Sequence, residues 1–212
     1  MKVLIVAGGS SADWPPLEKT DYDFFTGVDR GSLFILENNW PLDLAVGDFD
    51  SLSNQEKQLV KKEAKEFYPA QVEKDDTDTQ LALAKVLEQM PNAEITIIGA
   101  AGGRLDHFLA NLWLPLEPRF QPFIRQIHLK NQQNTISYYL PGEYTVYREP
   151  EMSYLAYCCL TAVSDLTLKD SRYLLHEQQV PVPTSYASNE FIGDTASFTF
   201  TAGVIAVIQS KD

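Results

Sequence analysis

Only two cysteines occur in this chain, Cys158 and Cys159, and they are neighbours inside an apolar run. Neighbours on a strand point to opposite faces, which disfavours a disulfide between them and strains any metal shared by the pair. They are expected to be buried structural thiols of a protein in a reducing cytosol. Cations are scarce as well: 17 Lys and Arg stand against 29 Asp and Glu, for a net charge of −12. A polyanionic partner requires clustered Lys and Arg, so no nucleic-acid role is expected. The acidic surplus is partly explained if several aspartates bind metal, and a solubility effect accounts for the total equally well. No apolar run is long enough to span a bilayer, so no membrane partner is expected. The stretch from Met1 to Ala7 is apolar but short and runs straight into Gly8-Gly9-Ser10, which makes it a first strand rather than a signal peptide. A soluble, cytoplasmic protein is the expectation. Neither the Walker pattern nor Gly-x-Gly-x-x-Gly occurs. No Ser-His-Asp order stands out, and His128 and His176 are isolated from other candidate ligands. Internal repeats and low-complexity segments are absent.

What is present is enough apolar material for a core, 44% hydrophobic residues, with 22% charged residues arguing against disorder. In the first half, short apolar runs alternate with helical patterns. Lys2 to Ala7, Asp23 to Val28, Leu42 to Val46 and Ile95 to Ile98 are expected strands. Ser53 to Phe67 is an expected helix, opened by a capping box of Ser53 with Glu56. Thr77 to Met90 is a second, with Thr77 and Gln80 spaced the same way and an apolar stripe of Leu81, Ala84 and Leu87. A third follows Asp106 and closes before Pro115 and Pro118. Such alternation implies βαβ units and a mostly parallel sheet. Near Pro118 to Pro122 the pattern becomes short and strand-like: Gln126 to Lys130, Thr135 to Leu140, Tyr144 to Arg148, Tyr154 to Thr161, Ser197 to Thr201 and Val204 to Gln209. The expected architecture is an N-terminal mostly parallel α/β domain over residues 1–121. An antiparallel β-sandwich or barrel over residues 122–212 follows it.

The chemistry is concentrated in acidic motifs where an apolar run ends or a helix begins. A parallel sheet presents ligand-binding groups there, beyond the carboxyl ends of its strands. In Gly47-Asp48-Phe49-Asp50-Ser51, an extended backbone turns Asp48 and Asp50 to one side and Phe49 into the core. Alone, that spacing is weak, and a helix-capping acidic loop explains it too. Lys74-Asp75-Asp76-Thr77-Asp78 packs three carboxylates at a helix start. Thr77 as cap and Asp78 in the first turn have a structural reason, since the helix dipole favours negative charge there. The crowding of Asp75 and Asp76 is better relieved by a cation, and magnesium, a hard ion that bridges carboxylates to phosphates, suits it. Gly102-Gly103-Arg104-Leu105-Asp106-His107 follows a strand and opens a helix. Its backbone N–H groups and Arg104 suit phosphate oxygens. Asp106 either caps the helix or binds metal, and His107 either moves a proton or is an ordinary surface histidine. In Val28-Asp29-Arg30-Gly31, Asp29 either contacts a ribose or sits in a plain turn. Together the motifs predict a magnesium-dependent phosphoryl-transfer enzyme.

In order and spacing these motifs resemble the thiamin pyrophosphokinase family, and Ser188-Asn189-Glu190-Phe191 resembles that family's Ser-Asn-Glu-Phe segment. Ala187 stands where the family has glycine, and Asp170-Ser171-Arg172 where it has Gly-Leu-Lys. The resemblance implies transfer of a diphosphoryl unit from ATP, as co-substrate, to the hydroxyl of thiamin, releasing AMP. It implies a site of Asp48, Asp50, Asp75, Asp78 and Asp106, with Mg2+ on Asp48, Asp50, Asp75 and Asp106. The nucleotide would meet Asp29, Gly31, Thr77, Arg104 and His107, and thiamin would meet Ser188 and Asn189. It further implies a homodimer with thiamin bound at the interface, the first domain holding ATP and Mg2+ and the second serving thiamin binding and dimerisation. A diphosphokinase for another heterocyclic alcohol, of the hydroxymethylpterin type, is the nearest rival. A non-catalytic nucleotide or thiamin sensor and a metal-dependent phosphohydrolase are the others.

Overall fold

The computed structural model describes residues 1–70, 75–102 and 104–212. It divides into two compact units, Met1–Leu114 with Leu129–Gln132, and Pro115–His128 with Gln133–Asp212.

The first unit is built on parallel strands. In chain order it runs β1 (Lys2–Val6), β2 (Phe24–Val28), α1 (Gly31–Glu37), β3 (Leu44–Gly47), α2 (Asn54–Glu63), β4 (Glu66–Pro69), α3 (Asp78–Gln89), β5 (Glu94–Ile98) and α4 (Leu105–Trp113). Pairing is parallel throughout and gives the order β5-β1-β2-β3-β4. Val3, Leu4, Ile5 and Val6 are fully buried, as are Ile95, Ile97 and Ile98. Strands covered on both faces read as continuous apolar runs for this reason. Both expected capping boxes form. Ser53 Oγ accepts from the Glu56 N–H while Glu56 accepts from that of Ser53. Thr77 and Gln80 exchange the same pair of bonds.

One expected element is wrong in length and another was not anticipated. The helix expected to reach Phe67 stops at Glu63, and β4 follows. Lys65 and Glu66 donate their N–H groups to the carbonyls of Leu42 and Asp43, and Lys65 Nζ lies 2.7 Å from the buried Asp43 Oδ1. Pairing with β3 outweighs a helical propensity that is only a few tenths of a kcal/mol per residue. Helix α1 is 7 residues long, too short to show a periodicity, and it starts at a glycine.

β6 (Ile127–Lys130) has residues in both units. The second unit is antiparallel: β7 (Asn134–Tyr139), β8 (Gly142–Tyr147), β9 (Tyr154–Cys159), β10 (Val163–Lys169), β11 (Leu175–Val180), β12 (Thr184–Glu190), β13 (Thr195–Phe200) and β14 (Ile205–Ser210). They form one array ordered β12-β9-β14-β7 and another ordered β11-β10-β13-β8. Inward side chains of both arrays share one core, in which the Tyr157 and Phe198 rings meet edge to face at 5.2 Å. The fold is therefore a sandwich. β10, β11 and β12 were not among the expected strands; β11 has the pattern Leu-His-Glu-Gln-Gln-Val with four successive exposed residues, which hides it. The cysteines are free, and burial pushes the Cys159 thiol up to about 11.

Candidate active site

The carboxyl ends of β1, β2, β3 and β5 converge because glycines let their backbones touch. The Gly9 N–H donates to the Gly99 carbonyl at 3.0 Å, and a Cβ on Gly9 would fall 2.4 Å from that oxygen. At Gly31 a Cβ would lie 1.9 Å from the Val6 carbonyl oxygen, so the start of α1 can pack on β1 only without a side chain.

Between β2 and α1, Asp29 adopts a left-handed backbone with φ 48°. Its N–H donates to the Val46 carbonyl and its own carbonyl accepts from the Ser32 N–H. Its Oδ1 accepts from the Phe49 N–H at 3.1 Å. That carboxylate leaves no room for a Cβ on Gly47, which would come within 2.0 Å of it. Burial, then the charge of Asp78, then those of Asp48 and Asp50, raise its pKa to about 6, against the hydrogen bond from Phe49.

The segment after β3 corrects the extended geometry expected of Asp48 and Asp50. Phe49 has φ 58°, and the Asp50 N–H donates back to Asp48 Oδ1 at 2.9 Å. The chain turns here instead of continuing as a strand. Phe49 is core, as expected: it is 1% exposed and stacks on Phe67 at 4.8 Å. Lys57 Nζ donates to the Asp48 carbonyl at 2.9 Å, and the Arg30 guanidinium donates to the Ser51 carbonyl. Sequence reasoning passed over both cations, although Arg30 lies within one of the motifs.

After β5, the buried Asn111 of α4 donates from Nδ2 to the Ala100 carbonyl at 3.0 Å. Arg104 grips Asp106 with two bonds, 3.2 Å from Nε and 2.6 Å from Nη2. That pairing holds the Asp106 carboxyl below its ordinary range and raises the guanidinium.

These ends enclose an open cleft of about 670 Å3. Of the residues expected there, Asp29, Asp50, Thr77, Asp78, Arg104 and His107 line it, beside Arg30, Ser51 and Asn111, which were not expected. Gly31, Asp48, Asp75 and Asp106 do not line it; they support or flank residues that do. Lys74 and Gly103, members of two of the motifs, lie outside the described residues. Among the described residues, no group of three or more His, Cys, Asp or Glu is gathered closely enough to hold a metal ion unaided.

Ser188 and Asn189 belong to the second unit. Ser188 is exposed with φ 60°. Asn189 is 3% exposed. Its Oδ1 accepts from the N–H groups of Tyr173 and Glu190, and its Nδ2 donates to Ser171 Oγ and the Tyr173 carbonyl. It ties the segment after β10 to β12. No helix among the described residues is long and apolar enough to cross a membrane.

Carboxylates, guanidinium groups and glycine-rich turns at the carboxyl edge of a parallel sheet are the equipment of a phosphate-transferring α/β enzyme. Comparison with known proteins narrows that class. Residues 17–125 match the thiamin pyrophosphokinase catalytic domain, and residues 143–205 match the thiamin pyrophosphokinase vitamin B1 binding domain. The thiamine pyrophosphokinase of Bacillus subtilis (strain 168) is 34% identical over 98% of each chain. The crystal structure of a thiamin pyrophosphokinase family protein from Enterococcus faecalis is 61% identical, covers 100% of both chains and superposes with a TM-score of 0.98. The thiamin pyrophosphokinase from Geobacillus thermodenitrificans is 33% identical, covers 100% of this chain and 98% of its own, with a TM-score of 0.84. The chain belongs to the thiamin pyrophosphokinase family.

Proposed function

We infer that this chain transfers the diphosphoryl unit of ATP to the hydroxyl of thiamin, giving thiamin diphosphate and AMP, in the cytoplasm. The observation that carries this reading is the cleft, where Asp29, Asp50, Thr77, Asp78, Arg104 and His107 meet in a member of that family. Transfers of this kind depend on positioning and charge neutralisation more than on covalent help.

The donor set suits Mg2+. Its ligands are carboxylate oxygens, and burial, with the charges of Asp78, Asp48 and Asp50 behind it, already raises the pKa of Asp29. Magnesium usually takes one or two carboxylates and completes its shell with water and substrate phosphates, so an all-protein cage is not required. Asp50 is the ligand on the cleft wall, with Asp48, Asp75 and Asp106 as the further candidates beside it. When bound, the ion would neutralise phosphate charge. Asp78 repels the Asp29 carboxylate and so favours a cation between the two. Arg104 is held by Asp106 and can exchange that carboxylate for a phosphate oxygen, which frees Asp106. Thr77, Asp29, Gly31 and His107 complete the nucleotide side.

We assign residues 1–121 to phosphate chemistry and 122–212 to thiamin binding and dimer formation. Ser188 is the contact to thiamin, and Asn189 shapes that contact by holding the Tyr173 backbone. In the proposed homodimer, Ser188 and Asn189 of one protomer serve the cleft of its partner. Mixed dimers of an Asp50→Asn chain and an Asn189→Ala chain should then recover activity that neither parent has. Incubation with ATP, Mg2+ and thiamin, with products weighed by mass spectrometry, tests the reaction. Thiamin diphosphate and AMP are expected. Thiamin monophosphate with ADP, or ATP hydrolysis independent of thiamin, overturns it.

A further inference from the structure

The loop after β3, from Asp48 to Ser51, holds its carboxylates in a backbone that its own residues do not favour. Phe49 has φ 58°, a region that a bulky side chain occupies only where its surroundings over-determine it. Its ring is fixed as well, being 1% exposed and stacked on Phe67. The backbone on either side is tied group by group. The Phe49 N–H donates to Asp29 Oδ1 and the Asp50 N–H to Asp48 Oδ1. The Phe49 carbonyl accepts from the Leu52 N–H at 3.3 Å, and the Ser51 carbonyl accepts from Arg30. The Asp48 carbonyl accepts from Lys57 Nζ at 2.9 Å. None of these ties uses the Asp50 carboxylate, which is left to the cleft wall.

Lys57 differs from the other charged holders of this loop. Asp29 and Arg30 line the cleft, so each can meet a substrate as well as the loop, whereas Lys57 does not line it. It stands near the start of α2, where the Ser53–Glu56 capping box fixes the helix end. Its own N–H donates to the Ser53 carbonyl at 2.9 Å, so the side chain reaches back from a rigid base. Nζ also lies 5.7 Å from the centroid of the Phe49 ring. One ammonium group therefore meets both the ring of the left-handed residue and the carbonyl just before it. A charged donor makes the stronger kind of hydrogen bond to that carbonyl.

Given the reaction proposed above, we propose that Lys57 is a positioning residue for it: the ammonium clamps the Asp48 carbonyl, holds Phe49 in its left-handed turn and so sets where Asp48 and Asp50 present their carboxylates. Lys57→Met keeps the apolar stem and removes the clamp, while Lys57→Arg restores a cation that donates. Amide hydrogen exchange of the ligand-free protein reads the loop directly. In Lys57→Met the Phe49 and Leu52 amides should exchange roughly tenfold faster or more, while Ile5 in the buried strand β1 keeps its wild-type rate. In turnover, kcat should fall about 10–100-fold, the scale of reacting groups displaced by up to an ångström, with KM for ATP and for thiamin within about threefold of wild type. Lys57→Arg should recover most of both losses. Unchanged exchange at Phe49 and Leu52, or exchange at Ile5 faster by the same factor, overturns the clamp. A raised KM with unchanged kcat, or a loss that Lys57→Arg leaves unrepaired, overturns the positioning role. If the loop amides loosen in Lys57→Met but wild type never diphosphorylates thiamin, the clamp stands and the proposed reaction falls.

Discussion

In the α/β unit, carboxylates crowd the strand ends, and Asp29 is held in a left-handed backbone with its pKa raised to about 6. In the β-sandwich unit, the buried Asn189 has both amide hydrogens and its oxygen engaged within the unit. The difference is one of unfinished and finished electrostatics. The first unit leaves charge uncompensated, which is tolerable where a ligand will complete the site and costly otherwise. Around Asn189 the second closes its polar network internally, so that buried group acts first on stability. Substitutions in the two units should therefore separate turnover from folding.

The largest expected effect is on turnover. Asp50→Asn keeps the shape of the loop after β3 and removes a charge from the cleft. Turnover should fall by about 10²–10³-fold, the scale of losing one preorganised electrostatic contact, with the melting temperature nearly unchanged. A variant that melts early but turns over normally would show that Asp50 serves the loop and not the reaction.

Next is a packing effect at the same edge of the sheet. Gly31→Ala forces a methyl group against the Val6 carbonyl at a starting distance of 1.9 Å, and backbone cannot swing aside as a side chain can. Urea titration should show a loss of about 3 kcal/mol. A loss under about 0.5 kcal/mol would mean that α1 can lift off β1, and that the rigid cleft edge is illusory.

In the sandwich, Asn189→Ala strands the Tyr173 N–H in a part-buried setting, while the Tyr173 carbonyl keeps its bond from Ser171 Oγ. The expected cost is about 2–3 kcal/mol, read by thermal unfolding. Ser188→Ala, at an exposed position beside it, should change stability by less than about 0.5 kcal/mol while raising the KM for thiamin. Reversed behaviour of the neighbouring pair would exchange their roles.

The smallest expected effect is on pH dependence. Asp29 has a folded pKa of about 6 against an ordinary carboxyl value of 3.8. A raised carboxyl favours the folded state when protonated, so its contribution is greatest below the unfolded value. It is lost as pH rises through about 6, then stays flat. Asp29→Asn keeps an acceptor for the Phe49 N–H and removes that penalty. At pH 7 it should stabilise by about 1 kcal/mol, allowing for solvent screening of a group still partly exposed, and by nothing near pH 3. Mg2+ should narrow the gap at pH 7. An equal stability difference at both pH values would mean that neither burial nor the neighbouring carboxylates raise the Asp29 pKa.

The readings that succeeded rest on patterns a few residues long. Ser53 with Glu56 and Thr77 with Gln80 announce helix starts, because the cap and its partner are three residues apart and close locally. The apolar runs of β1, β2, β3 and β5 mark doubly covered strands. Phe49 was rightly placed in the core, while the extended backbone assigned around it was not. Its positive φ accompanies a local bond from the Asp50 N–H to Asp48 Oδ1 and a second from its own N–H to Asp29, 20 residues away, and the distant partner is beyond the reach of local pattern.

Sequence by itself determined where charge and apolar runs fall, and hence that an acidic set stands at the ends of parallel strands. It also set the family resemblance, since motif order is a property of the linear chain. Tertiary structure alone decided which of those residues share a cleft. Arg30 and Asn111 line the cleft only because strand ends meet through Gly9, Gly31 and Gly99, where a single added methyl would hold the backbones apart. Asn189 likewise gained its role from the Tyr173 backbone 16 residues away. Local pattern fixes what each segment is. The partners that satisfy or oppose a polar group come from distant segments, and only packing chooses them.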